Sequence, residues 1–310
     1  MVKPPPPIKP MPPPGSATDP YDDMRSSSLK AAANQNNNSS SNNGNRKKRQ
    51  SSPAEVPMEK EPPPYSLLVE YPAEATACAF NPKDPSLVAS GSSDGKVSVH
   101  KDQTLLYTFE HEPAEITCLQ WSSDGKLLVA GTFGGNARIW SVAAGGELLH
   151  VLAHGNEAPV LAAKFHPSNA HLVATVHSSA VLVWRDAVEV LRLSDHKDIA
   201  MDLDWHPSRD ALASCSKDKS VMVYQFSISG DNDSTLLQIS DQFTLNGHFD
   251  EVNAVRWCPH DPEVLASCSD DTTVILWRPF QGAIEMHRFA DHNQEIYALE
   301  WNPREPLLAT

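Results

Sequence analysis

The chain has 310 residues, a formal net charge of −14 and five cysteines. This length suits two ordinary domains or one large repeat array, and the absence of an apolar run of transmembrane length argues against a membrane partner. The cysteines form no Cys-x-x-Cys pair and lie in apolar runs, so we expect a reduced intracellular protein without a disulfide framework.

Residues 1–64 differ in composition from the rest of the chain. They hold 14 of the 26 prolines, an Asn/Ser run over 34–45 and few large apolar side chains. Such a segment cannot bury enough apolar surface to offset its conformational entropy, so we predict a disordered tail over 1–64. Its nine basic and six acidic residues leave 16 basic and 33 acidic residues in 65–310, a net charge of −17 there. That balance disfavours direct nucleic-acid binding and favours basic protein partners.

Three short motifs lie in or beside this tail. The basic cluster Arg46, Lys47, Lys48 and Arg49 is typical of a nuclear localisation signal, although a solvated charge run has the same composition. Phosphorylation at the adjacent Ser52-Pro53 would lower the local positive charge. The segment Pro62–Tyr65 fits the Pro-Pro-x-Tyr ligands of WW modules and also a stiff linker into the first strand, which is the interpretation we favour.

From residue 65 onward the sequence repeats at a period of roughly 40 residues, the length of a propeller blade. An aromatic residue closes an apolar run at spacings of 41, 44, 40, 52 and 44 residues, namely Phe80, Trp121, Phe165, Trp205, Trp257 and Trp301. A histidine precedes five of them: His111, His154, His196, His248 and His292. A second apolar run in each unit ends at His100, Trp140, Trp184, Tyr224 and Trp277.

Each unit is a series of short apolar runs broken by turn residues, which predicts strands and an all-β fold. In the fifth unit we predict strands over 251–257, 264–268 and 273–277, with turns at 259–263 and 270–271. Strands packed between neighbouring blades are apolar on both faces, so clean alternation is not expected.

The pattern resembles the WD-repeat family over residues 66–310. In that family a buried His, Ser or Thr, Asp and Trp form a hydrogen-bonded chain that braces the blade. The resemblance implies such networks in the fifth and fourth units, through His248, Ser267, Asp271 and Trp277, and through His196, Ser214, Asp218 and Tyr224. The first unit has Ser90 and Asp94 but ends in His100, while Gly134 and Ser178 replace Asp in the second and third. We therefore expect the second and third blades to be held mostly by packing.

Within that family the sequence resembles the transducin-β-like corepressor subunits, also called F-box-like/WD-repeat proteins. The resemblance rests mainly on the segments Glu251–Trp257, Leu265–Asp271 and His292–Tyr297. It implies a nuclear scaffold of histone-deacetylase corepressor complexes, whose partners are corepressor and deacetylase subunits and histone tails. Residues 1–64 lack the amphipathic helical period of that family's N-terminal segment. The alternative is another WD-repeat adaptor, such as a ubiquitin-ligase substrate receptor or a cytoplasmic signalling scaffold.

The number of units predicts an incomplete ring. Aligning Leu308–Thr310 with Leu265–Ser267 places the end of this sequence in the second strand of a sixth blade. We expect about five and a half blades of a seven- or eight-bladed propeller, truncated at its C-terminal side. The run Ser66–Tyr71 resembles the lone strand that completes the last blade in family members.

The sequence shows no motif for catalysis, and we predict no catalytic residue, cofactor, metal or small-molecule substrate. The 13 histidines form no zinc-type cluster, and neither a nucleophile elbow nor a phosphate-binding glycine loop occurs. A ring of acids is the better candidate site, because the turn before each first strand carries a carboxylate that can attract a Lys/Arg-rich peptide. These acids are Glu74, Glu115, Asp198, Glu251 and Glu295, with Glu157 displaced by two positions. The competing interpretation is a solvated turn.

Overall fold

The computed structural model describes residues 73–102, 104–110, 112–155, 157–229 and 236–310. Within these ranges the chain forms 22 β-strands and one short 3-10 turn, Pro279–Gln281, which confirms the predicted all-β fold. The predicted tail with its motifs, the Ser66–Tyr71 run and His111 lie outside the described residues.

The strands form five four-stranded antiparallel sheets and one two-stranded pair, each ordered as in the chain. The first sheet contains β1 (Ala75–Phe80), β2 (Leu87–Ser92), β3 (Lys96–Lys101) and β4 (Thr104–Glu110). The second contains β5 (Ile116–Trp121), β6 (Leu127–Thr132), β7 (Asn136–Ser141) and β8 (Glu147–Ala153). The third contains β9 (Val160–His166), β10 (Asn169–His177), β11 (Ala180–Arg185) and β12 (Val188–Leu193). The fourth contains β13 (Ala200–Trp205), β14 (Ala211–Ser216), β15 (Ser220–Ser229) and β16 (Leu236–Asn246). The fifth contains β17 (Val252–Trp257), β18 (Leu265–Ser269), β19 (Val274–Arg278) and β20 (Ile284–Phe289), and the pair contains β21 (Glu300–Trp301) and β22 (Leu308–Ala309).

The first strands of consecutive sheets lie side by side, so the sheets are arranged as the blades of a propeller. Near the strand starts, Thr76 Oγ1 donates to the carbonyl of Ile116 at 2.6 Å. Near the strand ends, Trp121 Nε1 donates to the carbonyl of Ala79 at 3.0 Å. The first strands of neighbouring blades therefore run in the same direction. This places the starts of all first strands at one end of the propeller channel, which we call the mouth.

Trp121 is the first of four tryptophans that donate the same bond to the preceding blade. Trp205, Trp257 and Trp301 donate to the carbonyls of Lys164, Asp204 and Arg256 at 3.0–3.2 Å. The aromatic repeat seen in the sequence is thus the joint between blades.

The core lies between blades, which explains why the strands are apolar on both faces. Strand β14 is buried at all six positions. One apolar cluster joins the first two blades through Phe109 and Trp140, whose rings stack at 5.1 Å. Further clusters join each later pair of blades in the same way.

The outer strand of each of the five sheets carries a β-bulge, which lies opposite the closing residue of the third strand in four sheets and two residues further along in the fourth sheet. The bulged residues are Leu106, Leu149, Val190, Ser240 and Met286. A bulge increases local twist and hinders pairing with another chain along the blade edge.

The 52-residue spacing between Trp205 and Trp257 has a structural cause in the fourth blade. Strands β15 and β16 are 10 and 11 residues long, against six or seven for the matching strands of the second blade. Leu237, in the extended part of β16, is buried in a cluster that includes Val190 and Leu191 of the third blade. Phe226, at the base of the extension, lies in the same cluster, with its ring centroid 6.1 Å from that of Trp205. The extra residues therefore support a blade junction.

In the fifth blade the predicted strands agree with β17, β18 and β19 to within one residue at each end. No helix among the described residues is long and apolar enough to cross a membrane.

Candidate functional site

His248 is the centre of a buried hydrogen-bond chain in the fifth blade. Its Nε2 lies 2.7 Å from Ser267 Oγ, and its Nδ1 lies 3.0 Å from Asp271 Oδ2. Trp277 donates its indole N–H to the same Ser267 Oγ at 2.8 Å. Because Oγ accepts from the indole, its own hydrogen serves Nε2, and Nδ1–H of a neutral imidazole donates to Asp271. The structure thus brings the four residues of this predicted network together.

Burial and the neighbouring hydrogen-bond donors set the protonation states of His248 and Asp271. Burial lowers the pKa of His248, and the nearby carboxylate of Asp271 only partly offsets that effect. Burial raises the pKa of Asp271, but hydrogen bonds from Thr273 and from the Phe249 N–H outweigh it and hold this pKa at about 2. A neutral histidine beside an ionised aspartate is therefore the stable state near neutral pH.

The fourth blade repeats the histidine and differs at the aromatic position. His196 Nε2 lies 2.9 Å from Ser214 Oγ, and its Nδ1 lies 3.1 Å from Asp218 Oδ2. Tyr224 was expected in the place of Trp, but its hydroxyl donates to Asp195 Oδ2 at 3.1 Å. A phenol carries its donor at the ring tip and an indole at the ring side, so the bond goes to a different group. This corrects the predicted role of Tyr224.

The first blade contains only part of the pattern. Ser90 Oγ donates to the carbonyl of Ser98 at 3.4 Å, and Asp94 accepts from Ser92 Oγ and pairs with Lys96 at 3.2 Å. His100 is buried at the tryptophan position, and burial lowers its pKa.

The second blade has a carboxylate that the repeat pattern of the sequence did not reveal. Glu112 accepts a hydrogen bond from Thr132 Oγ1, and its other oxygen accepts from Asn136 Nδ2 at 2.8 Å. A Cβ at Gly134 would lie 2.6 Å from Glu112 Oε1. Glu112 therefore fills the space that the missing Asp would use, and its hydrogen bonds add to the packing that we expected to hold most of this blade.

The third blade has a network without an acid. His154 Nε2 and Trp184 Nε1 both lie 2.8 Å from Thr175 Oγ1, and His154 stacks on His177 at 4.7 Å. Burial, assisted by His177, lowers the pKa of His154 to about 4. Ser178, at the position where Asp was expected, has a φ of 54° in the turn between β10 and β11. Hydrogen bonds therefore add to packing here too.

The predicted acids lie at the mouth formed by the first-strand starts, with one correction. Glu74, Glu115 and Glu251 each directly precede a first strand, and their carbonyls accept from the Ser93, Phe133 and Asp270 N–H groups at 2.8–3.0 Å. In the fourth blade that slot belongs to Ile199, whose carbonyl accepts from Lys217 at 2.9 Å. Asp198 lies one residue earlier, where its side chain accepts from the Ile199 N–H.

Glu251 and Glu295 come together around Asp270. The repeat pattern of the sequence did not identify Asp270 as an acid of the mouth. Burial raises the pKa of Asp270, and the carboxylates of Glu251, Glu295 and Asp250 raise it further against a hydrogen bond from Asn253. Lys217 pairs with Glu251 at 3.0 Å and Lys219 with Asp250 at 3.4 Å. The doubled acid at 270–271 is the signal that could have identified this cluster.

The same mouth exposes two aromatic side chains. Phe249 is 78% exposed with the Arg288 guanidinium 5.6 Å from its ring, and Tyr297 is 59% exposed. Burial of its hydroxyl and the nearby Asp270, Glu295 and Glu251 raise the pKa of Tyr297. This combination of carboxylates and exposed rings suits a cationic, flexible ligand.

Within the described ranges no three His, Cys, Asp or Glu side chains are grouped to hold a metal ion. The five cysteines are free thiols, of which Cys215, Cys258 and Cys268 are buried.

Four segments of the chain match the WD domain, G-beta repeat family, over residues 67–101, 103–141, 188–225 and 240–278. They include the first three strands of every four-stranded blade except the third, where β9, β10 and β11 are not matched. That blade has Ser178 in place of Asp and keeps its fold nevertheless.

The curated proteins to which the chain is similar include the following three. It is 29% identical to the F-box-like/WD repeat-containing protein TBL1X of Mus musculus and to TBL1Y of Homo sapiens, in each case over 81% of this chain and 58% of the relative. It is 28% identical to the WD40 repeat-containing protein HOS15 of Arabidopsis thaliana, over 68% of this chain and 35% of the relative. The chain thus spans less than two thirds of the length of these relatives.

Proposed function

The chain belongs to the WD-repeat proteins, and on that basis we propose that it is a non-enzymatic scaffold subunit of nuclear histone-deacetylase corepressor complexes. The observation that carries the proposal is the similarity to TBL1X and TBL1Y over 81% of the chain. In this proposal residues 1–64 carry the nuclear signal Arg46–Arg49, and residues 65–310 contain the repeats of the propeller.

The placement of Ser, His and Asp supports a role without catalysis. In the fifth blade the side chains of His248 and Asp271 are 1% and 6% exposed, and both are used within the blade. A catalytic serine needs a base and an approach for substrate, and this arrangement has no such approach. This burial supports binding through the propeller surfaces as the proposed function.

For the ligand of the mouth we propose a basic peptide of the histone-tail type. The net charge of −17 over residues 65–310 draws a cationic peptide toward the propeller. Glu251, Glu295, Asp250 and Asp270 concentrate carboxylates beside the exposed rings of Phe249 and Tyr297. A lysine-rich segment can pair with the acids while its side-chain stems pack on the rings.

Affinity purification of the tagged full chain from a nuclear extract tests the scaffold proposal. We expect deacetylase and corepressor subunits among the proteins recovered, identified by mass spectrometry. Recovery of ubiquitin-ligase subunits without any deacetylase would instead favour the alternative adaptor and contradict the proposal.

Charge reversal at the mouth tests whether a basic peptide binds there. We expect the double change Glu251→Lys and Glu295→Lys to weaken binding of a fluorescein-labelled histone H4 tail peptide about tenfold or more, measured by fluorescence anisotropy. Because paired charges are screened by salt, the loss should shrink as salt is added.

The matched control reverses two exposed acids away from the mouth, Glu147→Lys and Glu305→Lys, with the same change in net charge. Equal weakening by both double variants would show that net charge alone attracts the peptide. Unchanged binding in the mouth variant would reject the mouth as the site.

A further inference from the structure

The outer parts of the second and third blades leave an apolar cleft between them. The cleft has a cavity volume of about 80 Å³ and opens to solvent. Its walls are apolar and come from the second, third and fourth strands of the two blades, namely Leu127, Ile139, Leu149, Leu152, Val173 and Trp184. No first-strand residue lines it, so it is separate from the acidic mouth.

The cleft exists because one side chain of the repeat is short. In the second, fourth and fifth blades a larger apolar residue, two or three positions after the closing aromatic of the third strand, packs onto the preceding blade. Val142 packs beside Phe109, Phe226 beside Leu191, and Phe280 contacts the ring of Phe243 at 5.6 Å. These contacts fill the junctions between the first and second blades, between the third and fourth blades, and between the fourth and fifth blades.

In the third blade this position is occupied by Asp186 and Ala187. Both have positive φ, 46° and 68°, in the tight turn between β11 and β12. Ala187 packs toward Leu127 and Ile139, but its methyl group is too short to fill the junction. The cleft is therefore the space that a larger side chain of the repeat occupies at the neighbouring junctions.

The rim adds a charge beside this apolar space. Asp186 Oδ1 accepts from His171 Nδ1 at 2.7 Å and lies 3.9 Å from His150 Nε2. Both contacts use Oδ1 and the side chain is 48% exposed, so the carboxylate can accept a further donor through Oδ2. Around the opening, Leu148, Leu149 and Val188 are 45%, 40% and 63% exposed, which extends the apolar surface.

We propose that this cleft binds a short peptide of a partner protein that inserts a phenylalanine-sized apolar side chain and places an adjacent Lys or Arg on Asp186. The inserted ring takes the place that Phe226 and Phe280 fill at their own junctions. The flanking cation meets the exposed carboxylate and leaves its bonds to the histidines in place. This surface goes beyond the scaffold role of the mouth, because it gives the propeller a second, apolar contact at its rim.

The test uses the full chain and the fluorescein-labelled probe Gly-Ser-Lys-Phe-Lys-Ser-Gly, titrated in fluorescence anisotropy. Two comparison probes replace the Phe by Ala or both Lys by Glu. We expect the Phe/Lys probe to bind and each comparison probe to bind about tenfold more weakly or worse. Equal binding of the Ala probe, or no binding of the Phe/Lys probe at millimolar concentration, would overturn the proposal.

Two variants locate the site. We expect Leu149→Ser and Asp186→Asn each to weaken the Phe/Lys probe about tenfold, while thermal unfolding checks that the fold persists. Leu106→Ser is the matched control, because Leu106 is the bulged residue of the first blade, 42% exposed, at a junction that Val142 fills. Equal weakening by Leu106→Ser would show nonspecific adsorption. Should Leu149→Ser unfold, the exposed Asp186→Asn decides, and its unchanged affinity would reject the site.

Discussion

At the residue scale, histidines in one repeat position differ in the group that faces Nδ1. His248 and His196 each face a carboxylate, which raises their pKa against the lowering effect of burial. His154 faces the ring of His177 and no carboxylate, and its pKa falls to about 4. The third blade therefore depends on a histidine that stays neutral while the unfolded chain protonates it near pH 6.5.

This difference predicts a pH dependence of stability that belongs to His154. Because its folded-state pKa is depressed, the unfolded state binds the extra proton, and stability falls as pH drops from about 6.5 toward about 4. Between pH 7 and pH 5 this histidine should cost about 2 kcal/mol of unfolding free energy. His154→Gln should be about 1 kcal/mol less stable at pH 7, since a hydrogen bond to Thr175 is altered, yet lose less on acidification.

Urea unfolding at both pH values, followed by tryptophan fluorescence, measures the effect. His150→Gln changes a histidine at the rim of the cleft, outside the network, and should keep the wild-type pH dependence. A pH dependence in His154→Gln as steep as that of the wild type would assign the acid sensitivity to another group.

At the element scale, the second blade shows how a network survives when its aspartate is lost. Glu112 reaches Thr132 and Asn136 from the loop before β5, and Gly134 leaves room for it in the turn between β6 and β7. Neither Glu112 nor Gly134 alone indicates a hydrogen-bond network in the sequence. Their relation depends on a contact across 22 residues, which the repeat pattern does not encode.

We expect the two positions to be coupled. Gly134→Asp should destabilise the chain, because its carboxylate would meet that of Glu112. Glu112→Ala should cost about 1–3 kcal/mol, because the Asn136 amide loses its acceptor and Thr132 Oγ1 keeps only the Asn136 carbonyl. The double variant should recover part of this loss, since the new carboxylate can take over both donors. Gly134→Ala is the steric control, because the flexible end of Glu112 can move away from a methyl group.

A double-mutant cycle in urea unfolding measures the coupling, which we expect to be favourable by about 0.5–3 kcal/mol. Additive losses in the double variant would mean that Glu112 does not occupy the role of the missing Asp.

The elements that repeat were predictable from sequence, and those that depart from the repeat were not. Period, turn residues and closing aromatics were enough to place the strands of the fifth blade to within one residue. Asp198 was aligned with the wrong residue, because it corresponds to Asp250 and not to Glu251: the carbonyls of Asp198 and Asp250 accept the same bond from a serine hydroxyl of the second strand, at 3.1 Å in both blades. The cleft at Ala187 was not foreseen, since it arises from a junction between blades that no single unit contains.

At the scale of the whole molecule, charged side chains on the first strands connect consecutive blades beside the indole bonds. Lys164 Nζ contacts Asp204 Oδ1 at 3.0 Å, joining the third and fourth blades. Arg256 pairs with Asp202 of the fourth blade and with Glu300 of the last strand pair, the latter at 3.1 Å. Burial lowers the pKa of Arg256, but the carboxylates of Asp202, Asp204 and Glu300 more than reverse this. The arginine is therefore a permanent cation between three consecutive blade units.

Removing this cation should weaken the junctions together. Arg256→Met leaves the buried Asp202 carboxylate without its main partner, and we expect a loss of about 3 kcal/mol in unfolding free energy. Adding Asp202→Asn should restore part of it, because no unpaired charge then remains. Arg278→Met is the control: its pair with Asp261 lies within one blade and is partly exposed, at 29% and 45%, so its loss should cost less than about 1 kcal/mol. If both arginine variants lost equal stability, the inner charges would contribute no more than an ordinary surface pair, and the blades would be held by the indole bonds and apolar packing alone.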